Sequence, residues 1–397
     1  MILSDVCEFI ADCPHSTAPD EGKGYPLIRT PNVGKGRLDL NGVHRVSESV
    51  YKQRIQRGAP QANDLIFARE APAGNVALVQ ENQTVCLGQR TVLIRPNVQK
   101  VNPRYLVYYL LSPKPQYELL GTANGATVAH VNLPAIRNLK IELPEKAVQD
   151  KIGTILVSYD DLIENNQKQI KLLEEAAQRL YKEWFVNLRF PGHENTKIVD
   201  GVPEGWNECT VESFGTVITG KTPPTSNKEY YTNGKVPFVT IPDMHNVVYP
   251  LKTEKRLTIE GAQTQKNKYI PPNSVMISCI GTVGLVSIST EVCQTNQQIN
   301  SIILNNEDDL YFFYESMLKM KDLLDGLGSN GATMTNVNKS KLEKLIIISP
   351  SKDIVKQYND VCKPLFESAL NLSRKNVYLQ TMREALLLKL MSGEVEI

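Results

Sequence analysis

The sequence predicts an α+β protein in which two strand-rich mixed α/β units are separated by a pair of long antiparallel coiled-coil helices, with a pseudo-two-fold internal repeat. Three observations predict it. Asn124-Gly125-Ala126-Thr127 followed by Val131-Asn132 returns 206 residues later as Asn330-Gly331-Ala332-Thr333 followed by Val337-Asn338. Two long stretches keep apolar residues at heptad spacing. Between them, short β-branched runs alternate with Gly, Pro and Asn, the pattern of strands and turns. A period near 200 is far longer than a solenoid repeat and reads as one duplicated unit, globular part plus helix.

Residues 1–144 form the first globular unit. Val76-Ala77-Leu78-Val79 and Thr91-Val92-Leu93-Ile94 read as strands. Residues 103–111 read as a helix that begins on a proline and ends at Ser112-Pro113. Flanking echoes extend the repeat: Pro26-Leu27-Ile28 with Pro237-Phe238-Val239, Asn63 with Asn273, Gly74 with Gly284, and Gly88-Gln89-Arg90 with Asn296-Gln297-Gln298. Asn-Gly-Ala-Thr itself reads as a structural turn between head and helix, since Gly125 is permissive and Thr127 bonds locally.

Residues 145–188 form the first long helix. Heptad position a falls on Leu156, Ile163, Ile170, Ala177 and Trp184, and position d on Tyr159, Asn166, Leu173 and Leu180. Residues 189–350 hold a Pro- and Gly-rich connector (191–205) and the second globular unit, with strand candidates at 236–241, 274–279, 285–288 and 345–348. Residues 351–397 form the second long helix, with Leu365, Leu372, Leu379 and Leu386 at position d. Its a positions (Cys362, Ala369, Asn376, Arg383, Leu390) are weaker and partly polar.

The two heptad registers coincide under the 206-residue shift, so the helices are expected to pair through Leu156, Ile163, Ile170, Leu173 and Leu180 against Leu365, Leu372, Leu379 and Leu386. Antiparallel pairing would carry the two units to opposite ends. A helix of roughly 40 residues spans about 60 Å, more than one turn of B-DNA at about 34 Å. Such a pair can act as a ruler. The plainer reading is an internal helical core.

The bulk composition narrows the field. With 397 residues, 41% apolar and 22% charged, the chain supports two or three ordinary globular domains. No apolar run approaches a membrane span, and no basic segment followed by an apolar stretch opens the chain. Seven cysteines without a C-x-x-C pair fit reduced thiols, so the expected location is cytoplasmic. The net charge is +1, yet residues 1–144 carry 16 Lys and Arg against 12 Asp and Glu. Residues 23–57 hold eight basic residues against Asp39 and Glu48 within a patch suited to phosphates, and Lys252, Lys255, Arg256, Lys266 and Lys268 form a similar patch in the second unit.

Catalytic motifs do not emerge. There is no phosphate-binding P-loop, no H-E-x-x-H, no nucleophile elbow, and no metal-ligand spacing among the five histidines. The chain therefore reads as non-catalytic, with no metal and no cofactor of its own. What stands out are loops rich in side chains that read base edges and phosphates: Arg29, Thr30, Asn32, Lys35, Arg37, Arg69, Gln89 and Arg90 in the first unit. Lys221, Thr222, Thr240, Asp243, Lys255, Arg256, Gln297 and Gln298 are their counterparts in the second. Arg reaches guanine O6 and N7 bidentately, and Asn or Gln reaches adenine N6 and N7. Two other readings stay open on these residues alone: a coiled-coil scaffold for proteins, or a DNA-modifying enzyme with an unrecognised motif.

Several stretches, in this order, resemble the specificity subunits of Type I restriction-modification enzymes over essentially the full chain. They are Gln178-Arg179-Leu180-Tyr181-Lys182-Glu183-Trp184-Phe185 closing the first helix and Val202-Pro203-Glu204-Gly205-Trp206 opening the second unit. Gly220-Lys221-Thr222-Pro223, Gly281-Thr282-Val283-Gly284 and Asn296-Gln297 resemble one variety of target-recognition domain. Asp12-Cys13-Pro14-His15-Ser16-Thr17, Arg69-Glu70-Ala71-Pro72 and Gly88-Gln89-Arg90 resemble another, and residues 386–394 resemble the family's second helix ending. The resemblance implies two target-recognition domains, each reading half of a split, asymmetric site in double-stranded DNA, with the helices setting the gap. It also implies two modification subunits that use S-adenosylmethionine, and restriction subunits that use ATP and Mg.

Overall fold

The computed structural model describes residues 1–121, 129–328 and 336–395. Both copies of the Asn-Gly-Ala-Thr turn lie outside the described residues. The chain divides into two compact units, Met1–Asn165 with Tyr378–Ile397, and Asn166–Val377. Each unit takes a globular head and a part of both long helices.

In the first unit a five-stranded sheet runs in the order Cys7–Asp12, Thr91–Pro96, Leu65–Ala68, Val76–Leu78, Gly36–Arg37. A three-stranded sheet, Arg45–Val46, Tyr25–Ile28, Cys86–Leu87, sits in the same head. Leu65–Ala68 and Val76–Leu78 are apolar and buried at every position because both faces are covered. Leu65, Phe67, Val92 and Ile94 point into one core with Tyr105, Leu106 and Leu156. Ile66, Ala68 and Leu93, the alternate residues, point into another with Ile28 and Val33. The helix Pro103–Leu111 is capped by Asn102, whose side chain accepts from the amides of Arg104 and Tyr105.

The second unit repeats the plan. A four-stranded sheet runs Gly215–Thr219, Ile299–Leu304, Val275–Ser278, Val286–Ile288, beside a three-stranded sheet Lys255–Leu257, Val236–Val239, Gln294–Thr295. Val275 and Ile277 enter the larger core, while Met276 enters a smaller one with Val239 and Ile299. The connector folds into a short turn, His193–Asn195, and a two-stranded hairpin, Ile198–Val199 with Val202–Pro203.

The duplication extends to the hydrogen-bond skeleton. Asn132 caps the helix Leu133–Arg137 by accepting from Ala135 N at 2.8 Å, and Asn338 caps Lys339–Glu343 by accepting from Lys341 N at 2.9 Å. The repeated Val-Asn is thus a helix start. Asn63 and Asn273 both take left-handed backbone at φ 70° and 61°, as do Gly74 and Gly284 at 90° and 81°. A side chain at Gly284 would collide with Lys321, whose Cγ lies 2.7 Å from the ideal Cβ position. Leu27-Ile28 pairs in parallel with Cys86-Leu87, and Phe238-Val239 pairs in parallel with Gln294-Thr295.

The first long helix spans Lys146–Tyr181 and continues through a wider turn, Lys182–Val186; the second spans Lys352–Ser392 and accommodates Pro364. In the second unit they run antiparallel: Asn166 Nδ2 donates to Asn376 Oδ1 at 2.7 Å, and Tyr358 donates to the Ala177 carbonyl at 3.2 Å. In the first unit Arg383 is ion-paired with Asp160, whose carboxylate also accepts from the Tyr108 hydroxyl.

The packing corrects the expected seam. Leu156, Ile163 and Leu379 are buried, Leu156 within the core of the first head. Ile170, Leu173, Leu180, Leu365, Leu372 and Leu386 are only half-buried. In the second helix Cys362, Ala369, Asn376 and Leu390, the set that looked weak in sequence, are buried, as are Val355, Tyr358 and Phe366. The half-buried leucines turn towards the heads and towards solvent. Leu180 and Leu365 pack on the core of the second head, and Leu386 on that of the first. Leu173 and Leu372, with exposed Leu172, line an open groove of about 590 Å³ in the second unit.

The motif at residues 178–185 is explained by packing. Phe185 stands 4.9 Å from both Phe312 and Tyr358, and Trp184 stands 5.8 Å from Tyr358. Trp206 of the connector is buried against Phe190 and Phe185. Stacked and edge-on rings of this kind add to the area that they bury.

Candidate nucleic-acid interface

One pair of loops carrying predicted reading residues follows equivalent strands in both heads, whereas Arg37, Lys255 and Arg256, expected on loops, lie on the short strands Gly36–Arg37 and Lys255–Leu257. After Tyr25–Ile28 comes a helical turn, Thr30–Asn32, in which Arg29 N donates to Asn32 Oδ1 at 3.1 Å. After Val236–Val239 the turn Ile241–Met244 repeats this, with Thr240 N donating to Asp243 Oδ2 at 2.8 Å. Asn32 is buried, and its amide nitrogen also donates to the Asp39 carbonyl. Asp243 accepts from the Thr240 hydroxyl and from Glu254 N. These two side chains brace their own loops. Thr30 is tied to the Ala71 carbonyl.

The basic residues divide in the same way. Lys35, Lys221 and Lys255 are exposed. Arg37 pairs with Asp161 on the first long helix. Arg256 donates to the Lys235 carbonyl and stands 3.9 Å from Glu291. Arg69 is buried and fully committed. Its Nε donates to the Val131 carbonyl at 2.8 Å, Nη1 to both oxygens of Asp12 at 3.0 and 3.1 Å, and Nη2 to His130 Nε2 at 2.9 Å.

His130 therefore joins a network that sequence reasoning missed. Arginine only donates, so His130 Nε2 is the acceptor and the ring proton sits on Nδ1, which donates to Glu70. The same Glu70 oxygen accepts from Arg90 Nη1. His15 Nε2 lies 3.3 Å from Asp12, and Gln89 Nε2 donates to the His15 carbonyl at 2.7 Å. The available signal was position: His130 stands immediately before the repeated Val131-Asn132, where the second copy has Asn336.

Neutral groups occupy the matching region of the second head. Thr222 Oγ1 donates to Gln297 Oε1 at 2.6 Å, Asn296 Nδ2 donates to Gln298 Oε1 at 3.0 Å, and Thr219 Oγ1 donates to Asn300 Oδ1 at 2.6 Å. The two heads share a skeleton and differ in the chemistry that it displays.

Among the described residues, no group of three or more His, Cys, Asp or Glu is placed to hold a metal ion. Burial pushes the thiols of Cys7, Cys293 and Cys362 up to about 12, and those of Cys86 and Cys279 to about 11. Thiols held so far above neutrality are poor nucleophiles and poor metal ligands. No helix among the described residues is long and apolar enough to cross a membrane.

Comparison with known proteins fits this geometry. The family model for the Type I restriction modification DNA specificity domain matches residues 1–175 and 203–377, one match for each copy of the repeat. The chain is 31% identical to the Type I restriction enzyme HindI specificity subunit of Haemophilus influenzae, over 87% of this chain and 88% of that one. It is 27% identical to the MjaIX specificity subunit of Methanocaldococcus jannaschii, over 90% and 83%. Its fold is similar to that of the S subunit of a Type I system from M. genitalium, with a TM-score of 0.57, 14% identity and coverage of 98% and 95%. Two matches of one domain model to two copies of one skeleton leave a single conclusion: the chain belongs to the Type I restriction modification DNA specificity family and carries its domain twice.

Proposed function

We propose that this chain selects a bipartite, asymmetric site in double-stranded DNA, each head reading one half, and directs partner subunits that carry out methylation and restriction. The observation that carries this reading is the duplicated skeleton with different loop chemistry on each copy. The first head carries an ionic set (Asp12, Arg69, Glu70, Arg90, His130) where the second carries an amide and hydroxyl set (Thr219, Asn296, Gln297, Gln298, Asn300). Dissimilar readers on equivalent frames suit two dissimilar half-sites. Exposed Lys35, Lys221 and Lys255 supply phosphate contacts that position the duplex without reading it.

The chain itself supplies recognition, while modification subunits supply S-adenosylmethionine and methyl transfer, and restriction subunits supply ATP- and Mg-dependent cleavage. Two modification subunits dock along the helices in this reading, and the open groove lined by Leu172, Leu173 and Leu372 offers one of them an apolar surface. Sequencing methylated bases in a host that carries this chain and its modification partner tests the reading. Methylation at two defined half-sites across a constant unspecified gap is the expected result. A continuous site, or methylation by the isolated chain, overturns it.

A further inference from the structure

We propose that the residue immediately before the second strand of each larger sheet, Thr91–Pro96 and Ile299–Leu304, is a base-reading position common to both heads, with Arg90 reading guanine in the first half-site and Gln298 reading adenine in the second. The inference rests on the DNA-recognition reading above and goes further by assigning one position and two bases.

Backbone bonds establish the equivalence. Arg69 N donates to the Arg90 carbonyl at 2.9 Å, and Cys279 N donates to the Gln298 carbonyl at 2.7 Å. Val131 N donates to the Arg69 carbonyl, and Val337 N to the Cys279 carbonyl. Two residues earlier, Gly88 N and Asn296 N donate to the carbonyls of Ile28 and Val239. Arg90 and Gln298 then precede the strands Thr91–Pro96 and Ile299–Leu304.

Each side chain is held in place and keeps hydrogen-bonding capacity to spare. Arg90 takes left-handed backbone at φ 63° and its side chain is 53% exposed. Nη1 is fixed by Glu70, and Nε and Nη2 have no partner among the described residues. An arginine fork so oriented presents two parallel donors, the complement of guanine O6 and N7. Glu70 is a positioning residue, itself held by His130, which Arg69 and Asp12 hold in turn. Arg69 and Arg90 are thus not equivalent cations, because the buried one braces and the exposed one reads.

Gln298 is fixed at its oxygen by Asn296 and reaches the Ile280 carbonyl through its nitrogen at 3.5 Å. A carboxamide has a second lone pair and a second hydrogen. Gln298 can therefore still accept from adenine N6 and donate to N7. No charge lies in this set, so Asn296 does for Gln298 what Glu70 does for Arg90.

The test uses the full chain with its modification partner, and reads methylated sites by genome sequencing. Arg90→Lys keeps the charge and the Glu70 pair but loses the fork. It should lower discrimination at one guanine of the first half-site about tenfold or more, with the second half unchanged. Glu70→Gln, with Arg90 intact, should relax that same base pair. Gln298→Arg should shift one adenine of the second half towards guanine and leave the first half unchanged, which also tests the position should an Arg90 variant fail to fold. Uniformly weaker methylation with both half-sites intact in the Arg90→Lys and Gln298→Arg variants overturns the proposal while leaving split-site recognition standing. Absence of a split site for the unmodified chain removes the recognition reading itself.

Discussion

Glu315 lies 1% exposed in the second unit, and one carboxyl oxygen has no hydrogen-bond partner among the described residues. Burial pushes its carboxyl up to about 8, with Lys319 opposing and Glu174 adding to the rise. Burial likewise lifts Glu174 to about 7. A group raised in the folded state contributes stability that is fully present below its ordinary value of 4.5 and is lost as pH climbs to about 8. Thermal melting should therefore occur at a lower temperature at pH 8 than at pH 5. Glu315→Gln should flatten that slope, with Glu174 accounting for what remains. An unchanged slope would show that the carboxyl ionises freely. The twin caps make a second comparison: Asn132→Ala and Asn338→Ala should each cost about 1 kcal/mol, measured by chemical denaturation, because each strips the first turn of an equivalent short helix.

The long helices bury polar residues where leucine would pack better, and two sets of them are paired. Asn166 meets Asn376, and Asp160 meets Arg383 and Tyr108. A single polar pair in a coiled-coil seam costs stability and specifies register. Asn376→Leu alone should destabilise by roughly 1–3 kcal/mol, since Asn166 then buries an amide without this acceptor. Asn166→Leu with Asn376→Leu should recover that loss or exceed it, yet blur the helix alignment. Unfolding curves report the first effect. Scatter in the methylated spacer reports the second, and a double variant with a sharp spacer would assign register to Asp160–Arg383 instead.

The proposed ruler has its own consequence. One heptad adds about 10 Å of helix, close to three base pairs at about 3.4 Å each. Inserting seven residues into both helices together should lengthen the spacer by about three base pairs and leave both half-sites as they were. Replacing residues 1–144 by another head should change one half-site alone. Methylome sequencing reads both outcomes, and a constant spacer across the heptad series would dismiss the helices as a measure.

Much of this architecture is written in local pattern. The repeat fixed the number of heads, Asn132 and Asn338 marked equivalent helix starts, Pro103–Leu111 was legible from its proline and its Ser-Pro ending, and heptads located both long helices. Periodicity works because it encodes which side chains leave water. It does not encode what they meet. The leucines at position d looked like the seam, whereas Cys362, Ala369 and Asn376 are buried and Leu365, Leu372 and Leu386 only half-buried. Likewise Arg69 and Arg90 look alike as letters, and only the fold separates a buried brace from an exposed fork. His130 reaches Arg69 across 61 positions, and Arg383 reaches Asp160 across 223. Such pairs are set by how the elements close upon one another, because a hydrogen bond depends on distance and angle in space rather than on spacing along the chain.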